Sequence, residues 1–299
     1  MKTKPLCFKS EQLGKNVFRV ETELVRNKDW EYWFLLTSDQ HWDNPHSDHE
    51  LQLKHLEEAK KRGAGIMSAG DYFCLMQGKY DKRASKSDLR PEHKGDNYFD
   101  RVVKTGANFL QPYAKQFVVI AQGNHEAAIE EKHEFNILDR FCGVLNDRTG
   151  SHIHNGGYSG YIIFRFKRKQ LDKKTQSSSI VLRYEHGTGG GGSVGGNVAK
   201  SFNVSKHFPD ADIILSGHNH NSFITELQRQ RIDKNTGALK LDIQTHIKCP
   251  SYKDEFGIGY GGWATAKIGM PPKPKGAYWL RFYYDHKIDG VLYEIIQAK

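Results

Sequence analysis

Short apolar runs that lead directly into polar residues recur along this chain. Each run is too short for a typical buried helix, so the pattern predicts buried β-strands. The five clearest runs are Tyr32–Thr37, Ala64–Ala69, Phe117–Ala121, Ile180–Tyr184 and Ile213–Leu215. The residues that follow these strands are therefore expected at the ends of a sheet.

Helical periodicity appears between the first three strands. The clearest helix is predicted from Ser47 to Arg62, with Ser47 as its N-cap and Gly63 at its C-terminal stop. Further helices are predicted at Tyr98–Leu110, Ala127–Phe141 and around Val198–His207. Strands that alternate with helices in this way predict an α/β core with parallel strands.

The second half of the chain is richer in strands. Tyr161–Phe166 is predicted to pair with the Ile180–Tyr184 strand in a hairpin with a basic, serine-rich tip. Other strands are predicted at Val17–Val25, Phe223–Arg231, Lys240–Lys248, Ala277–Tyr284 and Val291–Gln297. We expect one domain over residues 1–299, with a motif-bearing core at about 32–220 and a strand-rich part at 221–299.

Composition agrees with a folded, soluble protein, since 37% of the residues are hydrophobic and 26% are charged. No apolar run approaches the roughly 20 residues of a membrane span, and the four cysteines show no pairing motif. A cytoplasmic protein without membrane contact is therefore expected. The net charge of +9 favours polyanionic partners such as DNA, RNA or nucleotides, although it also serves solubility alone. The sequence does not determine the oligomeric state.

The five strands end in residues of one chemical kind. These residues are Asp39 and His41, Asp71, Asn124 and His125, His186, and His218 and His220. Carboxylate, amide and imidazole groups together suit transition metals such as Mn, Fe, Zn, Co or Ni. The remaining histidines are expected at the surface or on helix faces: His46, His49, His55, His93, His133, His152, His154, His207, His246 and His286.

In this order the motifs resemble those of the calcineurin-like metallophosphoesterases. The family pattern is D-x-H, then G-D, then G-N-H followed by D or E, then a lone H, then G-H-x-H. This chain has Asp39-Gln40-His41, Gly70-Asp71, Gly123-Asn124-His125-Glu126, His186 and Gly217-His218-Asn219-His220. The resemblance covers about Phe34 to His220. It implies an α/β fold, a four-layer α-β-β-α sandwich of two mixed sheets flanked by helices.

The resemblance also implies a site for two divalent metal ions, with Mn expected and Fe, Zn, Ni or Co as alternatives. Asp39, His41 and His220 would hold the first ion, Asn124, His186 and His218 the second, and Asp71 would bridge them. A hydroxide shared by the two ions would attack phosphorus. His125 would contact the phosphoryl group or protonate the leaving group, and Asn124 would also face the substrate.

Three features lie outside this motif set. Cys74 stands where the protein-phosphatase branch has a second aspartate, which leaves Glu126 or a backbone carbonyl to orient His125. Tyr72 could wall the pocket and bind substrate by stacking on a base, or it could be a core residue. The glycine-rich segment 187–197 could admit a phosphate or serve as a linker.

The function predicted from these observations is metal-dependent hydrolysis of a phosphate ester. The positive charge and the absent protein-phosphatase aspartate favour a phosphodiesterase that acts on nucleic acid, as a nuclease does, or on nucleotides. One alternative is a phosphomonoesterase for a small metabolite or a phosphoprotein. Another is a non-catalytic binding protein on the same fold, which the complete set of ligand motifs disfavours.

Overall fold

The computed structural model describes residues 4–76, 89–168, 177–189, 193–254, 256–257 and 271–299. The strands are β1 Lys9–Gly14, β2 Val17–Leu24, β3 Glu31–Thr37, β4 Gly65–Ser68, β5 Phe117–Ile120, β6 His154–Asn155, β7 Ser159–Arg168, β8 Ser177–Glu185, β9 Ile213–Ser216, β10 Phe223–Ile232, β11 Leu239–Lys248, β12 Ala277–Asp285 and β13 Gly290–Ala298. The helices are α1 His49–Arg62, α2 Tyr98–Leu110, α3 Asn124–His133, α4 Ile137–Thr149 and α5 Val194–Ser205.

One sheet has six strands in the order β13-β12-β3-β4-β5-β6. Strands β3 to β6 are parallel to one another. Strand β12 is antiparallel to both of its neighbours, β3 and β13. All residues of β4 and β5 are buried. Burial on both faces explains why these strands read as continuous apolar runs rather than as an alternating pattern.

The second sheet has seven strands in the order β1-β2-β7-β8-β9-β11-β10. Its central strands β8, β9 and β11 are parallel, and β7 pairs with β8 as an antiparallel hairpin. The predicted pairing of Tyr161–Phe166 with Ile180–Tyr184 in a hairpin is thus confirmed. Every second residue along β7 from Gly160 to Phe166 is buried, so one face of this sheet points into the protein.

The two sheets face one another across an apolar core. Phe34 of the six-stranded sheet meets Phe164 of the seven-stranded sheet edge to face, with ring centroids 5.0 Å apart. Phe282 packs on Phe164 at 4.8 Å, and all three rings are fully buried. Aromatic rings of this size bury enough apolar surface to hold two sheets together.

Helices cover the outer faces unequally. On the six-stranded sheet, α1 to α4 contribute to a second apolar core with the outward residues of β3 to β5. On the seven-stranded sheet, Asn197 is the only described residue of α5 that is buried. Beyond this helix, the ring of Phe208 packs on the guanidinium group of Arg183, and the ring centroid lies 3.5 Å from Arg183 Cζ. The predicted α/β class, with two mixed sheets flanked by helices, is confirmed, and its fourth layer is thin.

One predicted helix is wrong in its bounds. The helix predicted at Ala127–Phe141 is two helices, because Glu134 adopts a left-handed φ of 51° that ends α3. Asn136 then caps α4 by accepting the backbone N–H of Asp139 at 3.0 Å. Because α3 begins at Asn124, a predicted metal ligand stands at the start of a helix.

The other differences are small. The N-cap of α1 is Asp48, which accepts the N–H of Leu51 at 3.0 Å, rather than Ser47. The helix predicted near residue 198 begins at Val194, and β1 and β6 were not predicted. Most of the basic segment 79–90, the hairpin tip 169–176 and residues 190–192 of the glycine-rich segment lie outside the described residues. None of the described helices has the length and apolar character needed to cross a membrane.

Candidate metal centre

Backbone hydrogen bonds join the strand ends of the two sheets at one place. Beyond β3 and β4, Asp39 N donates to Gly70 O at 2.9 Å, and beyond β8 and β9, Gly217 N donates to His186 O at 3.1 Å. The two sheets are then connected directly, since His218 N donates to Asp39 Oδ2 at 2.9 Å. The carboxyl ends of parallel strands from both sheets therefore form a single site, as is typical of α/β proteins.

The first predicted ligand group is closely assembled. His41 Nε2 lies 3.2 Å from His220 Nε2 and 4.0 Å from Asp39 Oδ1, and His220 Nε2 lies 3.4 Å from Asp39 Oδ1. Metal–ligand bonds of about 2.1 Å place adjacent ligand atoms roughly 3–3.5 Å apart, so these three atoms can surround one ion.

The second predicted group is also assembled. His186 Nε2 lies 3.1 Å from Asp71 Oδ2 and 3.1 Å from Asn124 Oδ1. His218 Nδ1 lies 2.7 Å from the same amide oxygen. Asp71, His186 and His218 present ligand atoms within 4.8 Å of one another, and the amide of Asn124 lies among them.

The imidazoles of this second group are oriented by backbone carbonyls. His186 Nδ1 donates to Ala69 O at 2.9 Å, which leaves Nε2 facing Asp71. His218 Nε2 donates to Gly189 O at 2.7 Å, which leaves Nδ1 facing Asn124. Such outer hydrogen bonds fix both the tautomer and the direction of metal-binding histidines.

Asp71 stands between the two groups. Its Oδ1 accepts the backbone N–H of His125 at 3.0 Å, and its Oδ2 faces His186. Burial acts to raise the pKa of Asp71, but the nearby imidazoles, first His186 and then His125, hold that pKa well below its usual range. The carboxylate is thus ionised at neutral pH and has the position of a bridging ligand.

The electrostatics of the site favour a cation. The pKa of Asp39 is also lowered, because hydrogen bonding to His220 and the charge of His186 outweigh its burial. Burial lowers the pKa of His41 well below its usual value, so this imidazole is neutral and its lone pair is available. The His41 Nδ1 atom is buried without a hydrogen-bond partner among the described residues. Burial acts to lower the pKa of His186, but the charge of Asp71 raises it to about 9, so this imidazole would lose a proton when a metal binds. Two ionised carboxylates, the neutral imidazole of His41 and the other imidazoles form a donor set that suits a divalent transition metal.

The glycines of three motifs allow the strand ends to approach this closely. A methyl group built on Gly70 would collide with the ring of His186, and one on Gly123 would collide with the carboxylate of Asp71. A methyl group on Gly217 would collide with Ser38 and with the carboxylate of Asp39. These motif glycines therefore place backbone against a predicted ligand from a different strand end.

Backbone strain is concentrated at the same site. Nine residues other than glycine have a positive φ in the described part of the chain. Five of them are predicted ligands: Asp39 at 51°, His41 at 46°, Asp71 at 50°, His218 at 82° and His220 at 57°. Each such conformation costs about 1–3 kcal/mol and persists where the surrounding structure imposes it, which is typical of functional sites.

His125 is oriented by a backbone carbonyl. Its Nδ1 donates to Cys74 O at 2.5 Å, and its Nε2 lies 3.8 Å from Asp71 Oδ2. Glu126 has another role, because it accepts the N–H groups of Gly123 at 2.9 Å and Phe73 at 2.8 Å. Burial, reinforced by the charge of Asp71, raises the pKa of Glu126 to about 8. The sequence predicted that either Glu126 or a backbone carbonyl orients His125, and the structure shows the carbonyl of Cys74 in this role.

Tyr72 does not face the site. Its side chain is buried, and its ring centroid lies 4.9 Å from that of Phe73 and 5.2 Å from that of Phe141. The prediction that Tyr72 binds substrate is therefore wrong, and its alternative as a core residue holds.

The expectation of positions at the surface or on helix faces is wrong for His246, which is fully buried in β11, and His93 is also fully buried. His55 is fully buried as well, but it lies on a face of helix α1, as that expectation allows.

The sequence reasoning missed Lys248, the last residue of β11. β11 runs parallel to β9, and Lys248 pairs in register with Ser216, next to the G-H-x-H motif. Its side chain is 7% exposed, and burial lowers its pKa to about 8, which leaves it protonated at neutral pH. A polar residue at the end of a predicted strand was the available signal, the same one that identified the histidines.

The described residues fit a metal centre, and they also agree with the resemblance to the calcineurin-like metallophosphoesterases. Both predicted ligand groups converge, with Asp71 between them. The two mixed sheets with flanking helices are the architecture that this resemblance implies.

Comparison with protein-family profiles and with curated proteins finds no match. Among solved structures, Vps29 from Entamoeba histolytica in complex with Zn²⁺ is 9% identical, with a TM-score of 0.36 over 89% of this chain and 98% of that chain. A predicted phosphoesterase from Streptococcus pneumoniae is 11% identical, with a TM-score of 0.31 over 90% and 99%. GAP50, the anchor in the inner membrane complex of Plasmodium, is 11% identical, with a TM-score of 0.41 over 90% and 85%. These similarities are low, so function is inferred from the residues of this chain.

Proposed function

We propose that this protein is a metal-dependent phosphoesterase and that its substrate is a phosphodiester of nucleic acid or of a nucleotide. The observation that carries the proposal is the pair of ligand groups on either side of Asp71. One group is formed by Asp39, His41 and His220, and the other by Asn124, His186 and His218. Two divalent ions held there would activate a water molecule and neutralise charge on the phosphoryl oxygens.

The protein's own residues supply the remaining chemistry. Asp71 lies between the two ligand groups, and its carboxylate would be a ligand to both ions. His125 has Nδ1 committed to Cys74 O, and its Nε2 points toward the ligand groups, 3.8 Å from Asp71 Oδ2. In that position it can hydrogen-bond the phosphoryl group or donate a proton to the departing alkoxide.

The choice of a diester rests on charge and on one substitution. The net charge of +9 attracts polyanions, and Cys74 replaces the aspartate of the protein-phosphatase branch. Mn²⁺ is the ion proposed first, because mixed oxygen and nitrogen ligands suit it; Fe, Zn, Ni and Co are the alternatives. A phosphomonoesterase and a non-catalytic binding protein are the competing functions.

Hydrolysis of bis-p-nitrophenyl phosphate by the purified protein tests this proposal. Activity is expected with Mn²⁺ and is expected to disappear with chelator. Cleavage of p-nitrophenyl phosphate alone would replace the diester proposal with a monoesterase. No hydrolysis of either compound by protein shown to hold Mn²⁺ would favour the binding protein.

A further inference from the structure

Lys248 occupies an unusual position for a lysine. Its side chain is 93% buried, since only 7% is exposed, yet it stands at the rim of the metal centre. A methyl group built on Gly187 would lie 3.6 Å from Lys248 Nζ and equally far from Gly217 O and His218 Cβ. The ammonium group is therefore close to the backbone that carries two of the predicted ligands, His186 and His218.

The ammonium group of Lys248 makes no hydrogen bond or ion pair with the residues that the structure describes. Asp39 and Glu185 are the acidic groups that act electrostatically on Lys248, and both have other partners. Glu185 forms an ion pair with Arg183 at 2.9 Å, and Asp39 accepts the N–H of His218. Burying a charged group without direct partners is costly. A ligand that supplies acceptors to the ammonium group would remove this cost.

A second lysine lies beside the same loop. Lys200 of α5 is exposed, and its Nζ would lie 3.0 Å from a methyl group built on Gly189. Gly187 and Gly189 have φ values of 98° and 96°, a conformation open to glycine, and neither carries a side chain that would cover the loop. Two ammonium groups therefore lie beside the segment Gly187-Thr188-Gly189, next to the metal centre.

We propose that Lys248 and Lys200 bind a second phosphate group of the substrate, next to the phosphate held at the metal centre. This inference rests on the proposed phosphoesterase function and narrows it to substrates that carry two phosphates close together. The buried Lys248 would donate a charge-assisted hydrogen bond to this phosphate, away from water. The exposed Lys200 would contact the same phosphate from the solvent side. The second phosphate can come from the next residue of a nucleotide chain or from a diphosphate linkage.

A panel of four thymidine compounds separates these sources. The reference is the dinucleotide TpT, whose only phosphate is the scissile one. The chain arm uses pTpT and TpTp, and the diphosphate arm uses dithymidine 5′,5′-diphosphate. We expect kcat/KM for at least one two-phosphate compound to exceed that for TpT about tenfold, the effect of one charge-assisted contact. The arm that shows the preference identifies the source.

Lysine variants assign the preference to these residues. In Lys248→Met, the ratio of kcat/KM between the preferred compound and TpT is expected to fall close to one, and in Lys200→Met it is expected to fall partway. Lys240→Met is the matched control, because Lys240 is exposed at the opposite end of β11, and it should keep the wild-type ratio. Because Lys200 is exposed, Lys200→Met is expected to fold. If Lys248→Met does not fold, Lys200→Met alone tests whether the lysines cause the preference.

Three results would overturn the inference while leaving the phosphoesterase function intact. In the first, wild-type protein hydrolyses TpT and bis-p-nitrophenyl phosphate without preferring any two-phosphate compound. In the second, the preference survives in folded Lys248→Met. In the third, the preference is unchanged in Lys200→Met. Failure of wild-type protein to hydrolyse any of these esters with Mn²⁺ would instead reject the proposed function on which the inference rests.

Discussion

His125 donates its Nδ1 hydrogen to the backbone carbonyl of Cys74, with the two atoms 2.5 Å apart. Because a carbonyl oxygen can only accept, this contact fixes the tautomer of the neutral imidazole and leaves Nε2 facing Asp71 Oδ2 at 3.8 Å. The histidine is oriented by the backbone that follows the G-D motif. An aspartate side chain at position 74 is therefore not needed for this purpose.

Replacement of His125 by alanine should lower turnover without removing metal. The side chain would be lost from the substrate side, while both ligand groups would remain, so kcat should fall by about 10²–10⁴-fold. Hydrolysis of bis-p-nitrophenyl phosphate with Mn²⁺ and elemental analysis of the same samples measure the two quantities. Asp71→Ala is the contrasting variant and should lose metal as well as activity. A metal-depleted His125→Ala protein would show that His125 is a ligand.

Replacement of Cys74 by serine should leave kcat nearly unchanged. The backbone carbonyl that holds His125 is retained, and the Cys74 side chain only accepts a hydrogen bond from Asn44 Nδ2 at 3.3 Å, which a hydroxyl can also accept. We expect kcat within about threefold of wild type, a barrier change of less than 1 kcal/mol. The thiol also lies near His41 and His125. A hundredfold loss at full metal content would mean that the sulfur itself takes part.

Much of the site could be predicted because its signals are local. A short apolar run followed by Gly-Asp or Gly-His-Asn-His encodes a buried strand and the polar group at its end within a few residues. The order of five such endings carries the resemblance to one family, and that resemblance implies that the endings meet at one site. The structure brings the predicted ligands Asp39, His41 and His220 together, as the resemblance implies.

The features that were mispredicted depend on contacts between distant segments. Tyr72 follows the G-D motif directly, but its ring packs against Phe141 of α4. The sequence around either residue gives no sign that the two are in contact. Lys248 reads as an ordinary strand lysine until β11 is placed beside β9. The break at Glu134 is a left-handed residue inside a continuous helical pattern, and no glycine marks it.

Replacement of Gly217 by alanine should weaken metal binding. The added methyl group would collide with Ser38 and with the carboxylate of Asp39, so the ligand would have to move. We expect metal affinity to fall by about 10–100-fold, the range seen when the partners of metal ligands are lost. Titration of metal-free protein with Mn²⁺ measures this.

Gly143→Ala is the control for that experiment. Gly143 lies within α4, and nothing lies within 4 Å of a methyl group built there. This variant should bind Mn²⁺ as wild type does and gain about 0.5–1 kcal/mol of stability, since alanine is favoured over glycine in a helix. Equal metal affinity in the two variants would show that the close approach at Gly217 is not required.

Replacement of Tyr72 by phenylalanine should leave KM unchanged and should not destabilise the protein. The hydroxyl is buried without a hydrogen-bond partner among the described residues. Its removal therefore frees the folded state of a desolvation cost of about 1–3 kcal/mol. Urea unfolding and kinetics on bis-p-nitrophenyl phosphate are the measurements. A KM raised more than tenfold would restore Tyr72 as a substrate contact.

Acid should destabilise the protein in a window set partly by buried histidines. His55 is fully buried, and its Nδ1 accepts the hydroxyl hydrogen of Tyr252 at 2.8 Å. Burial lowers the pKa of His55 from 6.5 to about 4, and burial has the same effect on His246. In the unfolded chain these side chains bind protons below about pH 6.5, whereas in the folded protein they stay neutral until about pH 4.

The sign of the effect follows from this difference in proton binding. Because the unfolded state binds more protons at these two histidines, their contribution to the free energy of unfolding should fall as the pH decreases from 6.5 to about 4. Glu126, whose pKa is raised to about 8, acts in the opposite direction above pH 4.5, because its carboxyl is protonated in the folded state, but it offsets only one of the two histidines. Each histidine contributes a slope of at most about 1.4 kcal/mol per pH unit. The lowered pKa of Asp39 acts in a separate window, since its stabilisation is lost only below the ordinary aspartate value of 3.8.

The variant His55→Leu isolates one histidine in this window. It removes one titrating group and keeps the site apolar, so its free energy of unfolding should depend less steeply on pH than that of wild type. His152→Leu is the control, because His152 is exposed, and it should keep the wild-type slope. Urea unfolding of metal-free samples across the window measures both. If His55→Leu and wild type have the same slope, His55 is already protonated in the folded protein or its proton is compensated by a neighbouring group.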